Sequence, residues 1–138
     1  MTAAPWNAAR WPNFAPREIA CRHCGRMPDM DDGFVRASLD ALQDLRNVLG
    51  RPVALNSAYR CPVHNAAVGG APMSLHKRIA FDVALAGHDR GIVLDRAAGA
   101  GFRGLGLGQH FIHLDRRARP ARWFYGERSK ALWKSFLG

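Results

Sequence analysis

Two histidines and an aspartate, His76, Asp82 and His113, are residue types that bind divalent metals, and local patterning aims them at one place. Residues 80–86 alternate as a strand does. Phe81, Val83 and Leu85 share one face, and Ala80, Asp82 and Ala84 the other. The acid therefore stands among small side chains that leave room for an approaching group. Along 111–114, Ile112 and Leu114 point one way, while Phe111, His113 and the following Asp115 point the other. If the two segments pair with their apolar faces on one core, Asp82 and His113 share the open face. His76 lies on the loop entering the first of these strands, within reach of the same spot. Two imidazoles and one carboxylate leave a fourth tetrahedral position free for water, the pattern of a catalytic zinc site.

A second group has metal-ligand spacing. Cys21-x-x-Cys24 and Cys61-x-x-His64 together supply the ligands of a structural Cys3His zinc site. Three cysteines are an odd set, which argues against a simple disulfide framework. A disulfide from Cys61 to Cys21 or Cys24, and three reduced buried thiols, are the alternatives. His23 and His88 read as loop residues.

The elements that must hold these groups are short. A helical turn is expected near Phe14–Glu18. A longer helix over Gly33–Leu49 follows Asp31 and Asp32, carries Phe34, Leu39, Leu42, Leu45 and Val48 at near-helical spacing, and ends at Gly50. Pro52–Tyr59 reads as a strand, and Arg60–Pro72 as a loop with one turn of helix near His64. Ala80–Ala86 is a strand, and Asp89–Ala100 a helix with Ile92, Val93, Leu94 and Ala97 inward. Gly104–Gly108 is a glycine-spaced turn or short strand, Phe111–Leu114 a strand, and Arg128–Leu137 a terminal helix. This order predicts an α+β fold with a short, mostly antiparallel sheet flanked by helices. Residues 1–13 show no period and are expected to be irregular, leaving 14–138 as one domain.

Length and composition agree: 138 residues, 48% of them apolar and 22% charged, suit one soluble core. No stretch approaches the roughly 18 apolar residues that span a bilayer. No secretory signal is recognisable, so cytoplasmic synthesis with delivery to the periplasm or cell wall by another route is expected. The formal charge of +9, with Arg116, Arg117, Arg119 and Arg122 close together, favours anionic envelope polymers or is a solvated basic surface. No nucleic-acid-binding motif accompanies that charge.

Four blocks, Ser57-Ala-Tyr-Arg-Cys-Pro-Val-His-Asn65, Val68-Gly-Gly-Ala-Pro-Met-Ser-Leu-His76, Ala80-Phe-Asp82 and Phe111-Ile-His-Leu-Asp115, succeed one another in an order that resembles the zinc D-alanyl-D-alanine carboxypeptidase family. That family includes bacterial carboxypeptidases, vancomycin-resistance dipeptidases and phage endolysin L-alanyl-D-glutamate peptidases. The likeness runs over about residues 14 to 125. It implies a Hedgehog/DD-peptidase-like fold, with His76, Asp82 and His113 as zinc ligands. It also implies that Arg60 holds the scissile carbonyl or the substrate carboxylate, a role suited to a permanently charged guanidinium. His64 matches a histidine the family carries even in members without cysteine, which allows it a separate structural role.

Two departures from the family pattern bear on activity. Five residues, Lys77 to Phe81, separate His76 from Asp82 where the family usually has six, so the connection must either tighten or reverse strand parity. The tighter turn is expected. The acid that many members place three residues before the last histidine is replaced by His110, which is expected to act as the base. Asp115 is the rival, with support of a ligand as its other role.

The function expected is hydrolysis of peptidoglycan stem peptides by metal-activated water, as a D,D-carboxypeptidase or an endolysin-type endopeptidase, in a monomer and with a phage origin fitting well. The alternative is a non-catalytic metal-binding module, wall-binding or structural, of a phage-like particle. A nucleic-acid binder would rest on charge alone.

Overall fold

The computed structural model describes residues 5–71 and 73–137. Of the irregular segment expected at 1–13, residues 1–4 lie outside the described ones. The rest is tied down: Trp11 is buried and donates its indole N–H to Asp40 at 2.9 Å, beside a two-pronged Arg10–Asp40 ion pair.

Short α1 (Pro16–Ile19) opens the chain's regular structure, and its Ile19 is buried. Asp40 belongs to α2 (Gly33–Leu49), the longest helix among the described residues. Asp32 caps it by accepting the Phe34 N–H at 2.9 Å, and Gly50 ends it in the left-handed region at φ 64°, where a side chain is strained. Val35, Leu39, Leu42 and Leu45 form its buried stripe. Val48, expected in that stripe, is exposed, because 100° per residue has turned it about 140° from Val35. In α4 (Arg90–Gly99), capped by Asp89, the inward residues are Val93, Leu94 and Ala97. Ile92, also expected inward, lies on the solvent side.

Five strands follow the order β1-β2-β4-β3-β5, with β1 Leu55–Ser57, β2 Phe81–Ala84, β4 Phe111–Asp115, β3 Gly104–Leu107 and β5 Ala121–Phe124. Neighbours are antiparallel except β3 and β5, which run parallel, so the sheet is mixed and the fold α+β. Gly104–Leu107 is thus an interior strand. β5 falls where only an arginine cluster was legible; Pro120 precedes it, and it sits on the sheet edge, where a missing N–H does no harm.

One face of the sheet, carrying Phe81, Val83, Leu105, Leu107, Ile112 and Leu114, joins the inward residues of α2 and α4 in a single core. Helix α5 (Glu127–Trp133) closes the sheet's end, with Trp133 fully buried and donating to the Gly108 carbonyl at 2.8 Å. The opposite face is left to chemistry.

Candidate metal centre

Pairing of β2 with β4 sets Asp82 directly opposite His113. Both side chains emerge from the face away from the core, since Phe81, Val83, Ile112 and Leu114 take the other. His76 arrives from a 3-10 turn, Leu75–Lys77, in which its own N–H donates to the Ser74 hydroxyl at 3.2 Å. This single tight turn accommodates the short connection from His76 to Asp82 without reversing parity. It is anchored by the Arg60 N–H to the His76 carbonyl at 2.8 Å and by an Arg78–Asp32 ion pair at 2.7 Å.

Three donor atoms meet here: His76 Nε2, His113 Nδ1 and Asp82 Oδ1, each 3.2 Å from the other two. The far side of each imidazole identifies its tautomer. His76 Nδ1 lies 2.6 Å from the Ala58 carbonyl, which only accepts, so Nδ1 carries the proton. His113 Nε2 lies 2.7 Å from the Asp115 carboxylate and donates to it. With neutral rings, two nitrogen lone pairs and a carboxylate oxygen then converge with no proton between them. Such a cluster is mutually repulsive until a cation enters. Metal–ligand bonds of roughly 2.0–2.1 Å at tetrahedral angles require donor spacings of about 3.3 Å, and the observed triangle fits. The donor set therefore suits a divalent ion such as zinc.

Electrostatics point the same way. Burial alone would raise the Asp82 pKa, but the adjoining His113 and His76 imidazoles hold it well below the usual carboxylate range. Burial alone would lower that of His113, yet Asp115 and Asp82 outweigh it and raise it. Asp115 is buried, and against that burial Arg117 and His113 hold its carboxyl ionised far below its ordinary value.

The triad opens on a cleft of about 510 Å³, walled by Arg60, the 68–71 and 73–75 backbone, Arg117, Trp123 and Tyr125. Arg60 places Nη2 3.5 Å from Asp82 Oδ2 and Nη1 3.4 Å from Asn65 Oδ1, and its buried Nε has no partner. Asn65 also donates to the Ala71 carbonyl at 2.9 Å, tying Arg60 to the loop that forms the cleft rim. Gly70 closes against this pair, since a Cβ there would collide with the Asn65 amide.

The expected residues divide by location. His76, Asp82 and His113 are gathered, and Arg60 lines the same cleft. Asp115 is not a free base: its carboxylate is occupied by His113 and by Arg117, whose Nε and Nη2 donate at 2.8 and 2.7 Å. His110 is exposed on the β3–β4 turn, three residues and about 10 Å of strand from His113, and does not line the cleft. Phe111, next in the chain, packs on Tyr125. Cys21, Cys24 and Cys61 converge, while His64 is absent from that group and stacks on His23 instead.

Trp123 and Tyr125 escaped the sequence analysis, and Arg117 was legible only as part of a basic cluster. Arg117 lies over the Trp123 ring at 4.7 Å, and Trp123 lies 5.3 Å from His113. The available signal was Gly104-Leu-Gly106: both glycines face the open side, and a Cβ on Gly106 would meet the Trp123 and Tyr125 rings at 2.8 Å. Bare Gly106 makes room for the aromatic wall, its strand paired so that it stands opposite Trp123 of β5, while bare Gly104 makes room for Asp115 and Arg117.

The sequence model of the family described as peptidase M15 matches residues 12–115. No curated protein matches the chain.

Proposed function

Because the chain belongs to the peptidase M15 family, we propose that it is a zinc-dependent hydrolase of D-amino-acid-containing bonds in peptidoglycan stem peptides. The observation carrying this reading is the 3.2 Å triangle of unprotonated donors on the floor of an open cleft. His76, Asp82 and His113 would hold the ion, which when bound would supply an acidified water and polarise the scissile carbonyl.

The protein's own groups do the rest. Ala58 and Asp115 each fix one imidazole by its remote N–H, keeping the inner nitrogen lone pairs on target. Arg60 has donors in reserve for a substrate carboxylate or developing oxyanion. Trp123 and Tyr125 offer flat apolar surface against a peptide backbone, and Arg117 adds positive charge beside them. Zinc-loaded protein incubated with purified peptidoglycan should release new amino termini, and chelation should stop it. Intact peptidoglycan in the presence of stoichiometric zinc would reject the reading.

That last outcome would favour a non-catalytic, wall-binding metal module. One observation supports this second reading: Asp115 is engaged and His110 lies off the cleft, so neither expected base faces the triad.

His110→Ala is expected to leave turnover within about twofold of the parent, because the position is beyond hydrogen-bond reach of the triad. A large fall in kcat would return His110 to the reaction. Asp115→Asn removes the charge that braces His113 and should weaken metal affinity by roughly 10–100-fold, measured against a competing chelator. Unchanged affinity would reduce Asp115 to a fold-stabilising partner of Arg117.

A further inference from the structure

A second cluster of ligating side chains lies outside the cleft. Cys21 and Cys24 sit on the loop after α1, and Cys61 caps α3 (Pro62–Ala67) immediately beyond Arg60. Their three sulfur atoms all lie within 4.8 Å of one another. Zinc–thiolate bonds of about 2.3 Å place sulfurs about 3.8 Å apart around a tetrahedron, so the three are at ligating range. Cys21 and Cys61 are buried, and Cys24 closes the rim.

The surrounding backbone is arranged for thiolates. Gly25, at φ 73°, turns the chain so that its N–H reaches the Cys21 carbonyl at 2.8 Å, and the Cys21 N–H bonds the Arg26 carbonyl at 2.8 Å. The Cys61 N–H donates to Cys21 Sγ, and the His64 N–H to Cys61 Sγ, each at 3.4 Å.

We propose that Cys21, Cys24 and Cys61 bind a structural zinc ion, with His64 as the fourth ligand. His64 stands at the third helical position after its cap, from which a side chain folds back toward the capping residue. Its ring is stacked on His23, centroids 5.6 Å apart, so ligation by His64 would take a side-chain rotation. No water is needed in a closed set of four, which distinguishes this ion from one that activates solvent. The site ties the loop after α1 to the strand end that bears Arg60, where Tyr59 N–H already bonds the Ile19 carbonyl at 3.1 Å. It does not depend on the peptidase reading, because its ligands and the triad share no residue.

The test is metal content and spectroscopy on the full chain. The parent protein should carry two equivalents of zinc, one of them released by a thiol-blocking mercurial. Cobalt substitution should give an intense thiolate-to-metal charge-transfer band that imidazole and carboxylate ligands cannot produce. Cys24→Ser, at the exposed rim, should lose one equivalent and that band while the triad ion remains. His64→Ala should retain the ion at least tenfold less tightly against chelator, and unchanged retention would remove His64 from the ligand set. The proposal is overturned if the parent carries one equivalent that His113→Ala abolishes, with no charge-transfer band. It is equally overturned by a cysteine disulfide in the intact mass of freshly prepared protein. Failure of peptidoglycan hydrolysis alone leaves these readouts unaffected.

Discussion

His113→Ala is expected to abolish hydrolysis and lower bound zinc by one equivalent. Alanine removes a first ligand and leaves Asp82 and His76 as the protein's only remaining donors in the triad. It also strands the Asp115 carboxylate, which loses its 2.7 Å imidazole donor and keeps only Arg117. The fold should survive. The side chain leaves β4 on the face away from Ile112 and Leu114, so no core contact is deleted. Circular dichroism should therefore match the parent while activity drops to the assay floor, a loss of at least about a thousandfold if the metal contributes the water activation and carbonyl polarisation ascribed to it. Parent-like zinc content with retained turnover would remove His113 from the ligand set and undo the peptidase mechanism.

Arg60→Ala should separate binding of metal from use of it. The guanidinium is no ligand; its contacts to Asp82 and Asn65, at 3.5 and 3.4 Å, are long, and its Nε is buried without a partner. These are the marks of a donor group left unsaturated for an incoming carboxylate or oxyanion. Loss of one such donor costs about 10²–10³ in turnover, or roughly 3–4 kcal/mol of transition-state stabilisation. Zinc content should remain at the parent value. Arg60→Lys should recover little, because a single ammonium cannot reproduce the two parallel hydrogen bonds of the fork. A substrate series sharpens the prediction: if Arg60 binds a terminal carboxylate, the loss appears on peptides with a free carboxylate and shrinks when it is amidated. Parent kinetics in Arg60→Ala would place substrate recognition elsewhere, with Arg117 the next basic group in the cleft.

Much of the architecture was legible because it depends on near neighbours. The α2 helix shows its cap at Asp32, its stop at Gly50 and its apolar stripe, all within one segment. Only residues flanking the stripes were misjudged, at Val48 and Ile92, where a partner decides what is covered. Parity within 81–84 and 111–115 sorted Asp82 and His113 from the core residues beside them, and the pairing then set the two face to face. The strand at Ala121–Phe124 was not legible. It is half-buried, arginine-bearing and preceded by proline, so neither alternation nor hydrophobicity announces it. With it went Trp123 and Tyr125.

By itself, the sequence determined which chemistry the chain can attempt: the donor types, their strand faces, the helix caps and the ordered blocks that match a peptidase family. Only tertiary structure decided which groups meet. It paired the Asp115 carboxylate with His113 and Arg117 and left His110 on a solvent-facing turn. It brought three cysteines together without the His64 ring, and hung an aromatic wall over Gly106. The physical reason is range. Side-chain direction within a strand or helix follows from backbone geometry over a few residues, whereas the triad, the cysteine cluster and the cleft walls draw on segments tens of residues apart, whose approach is set by the packing of one shared core.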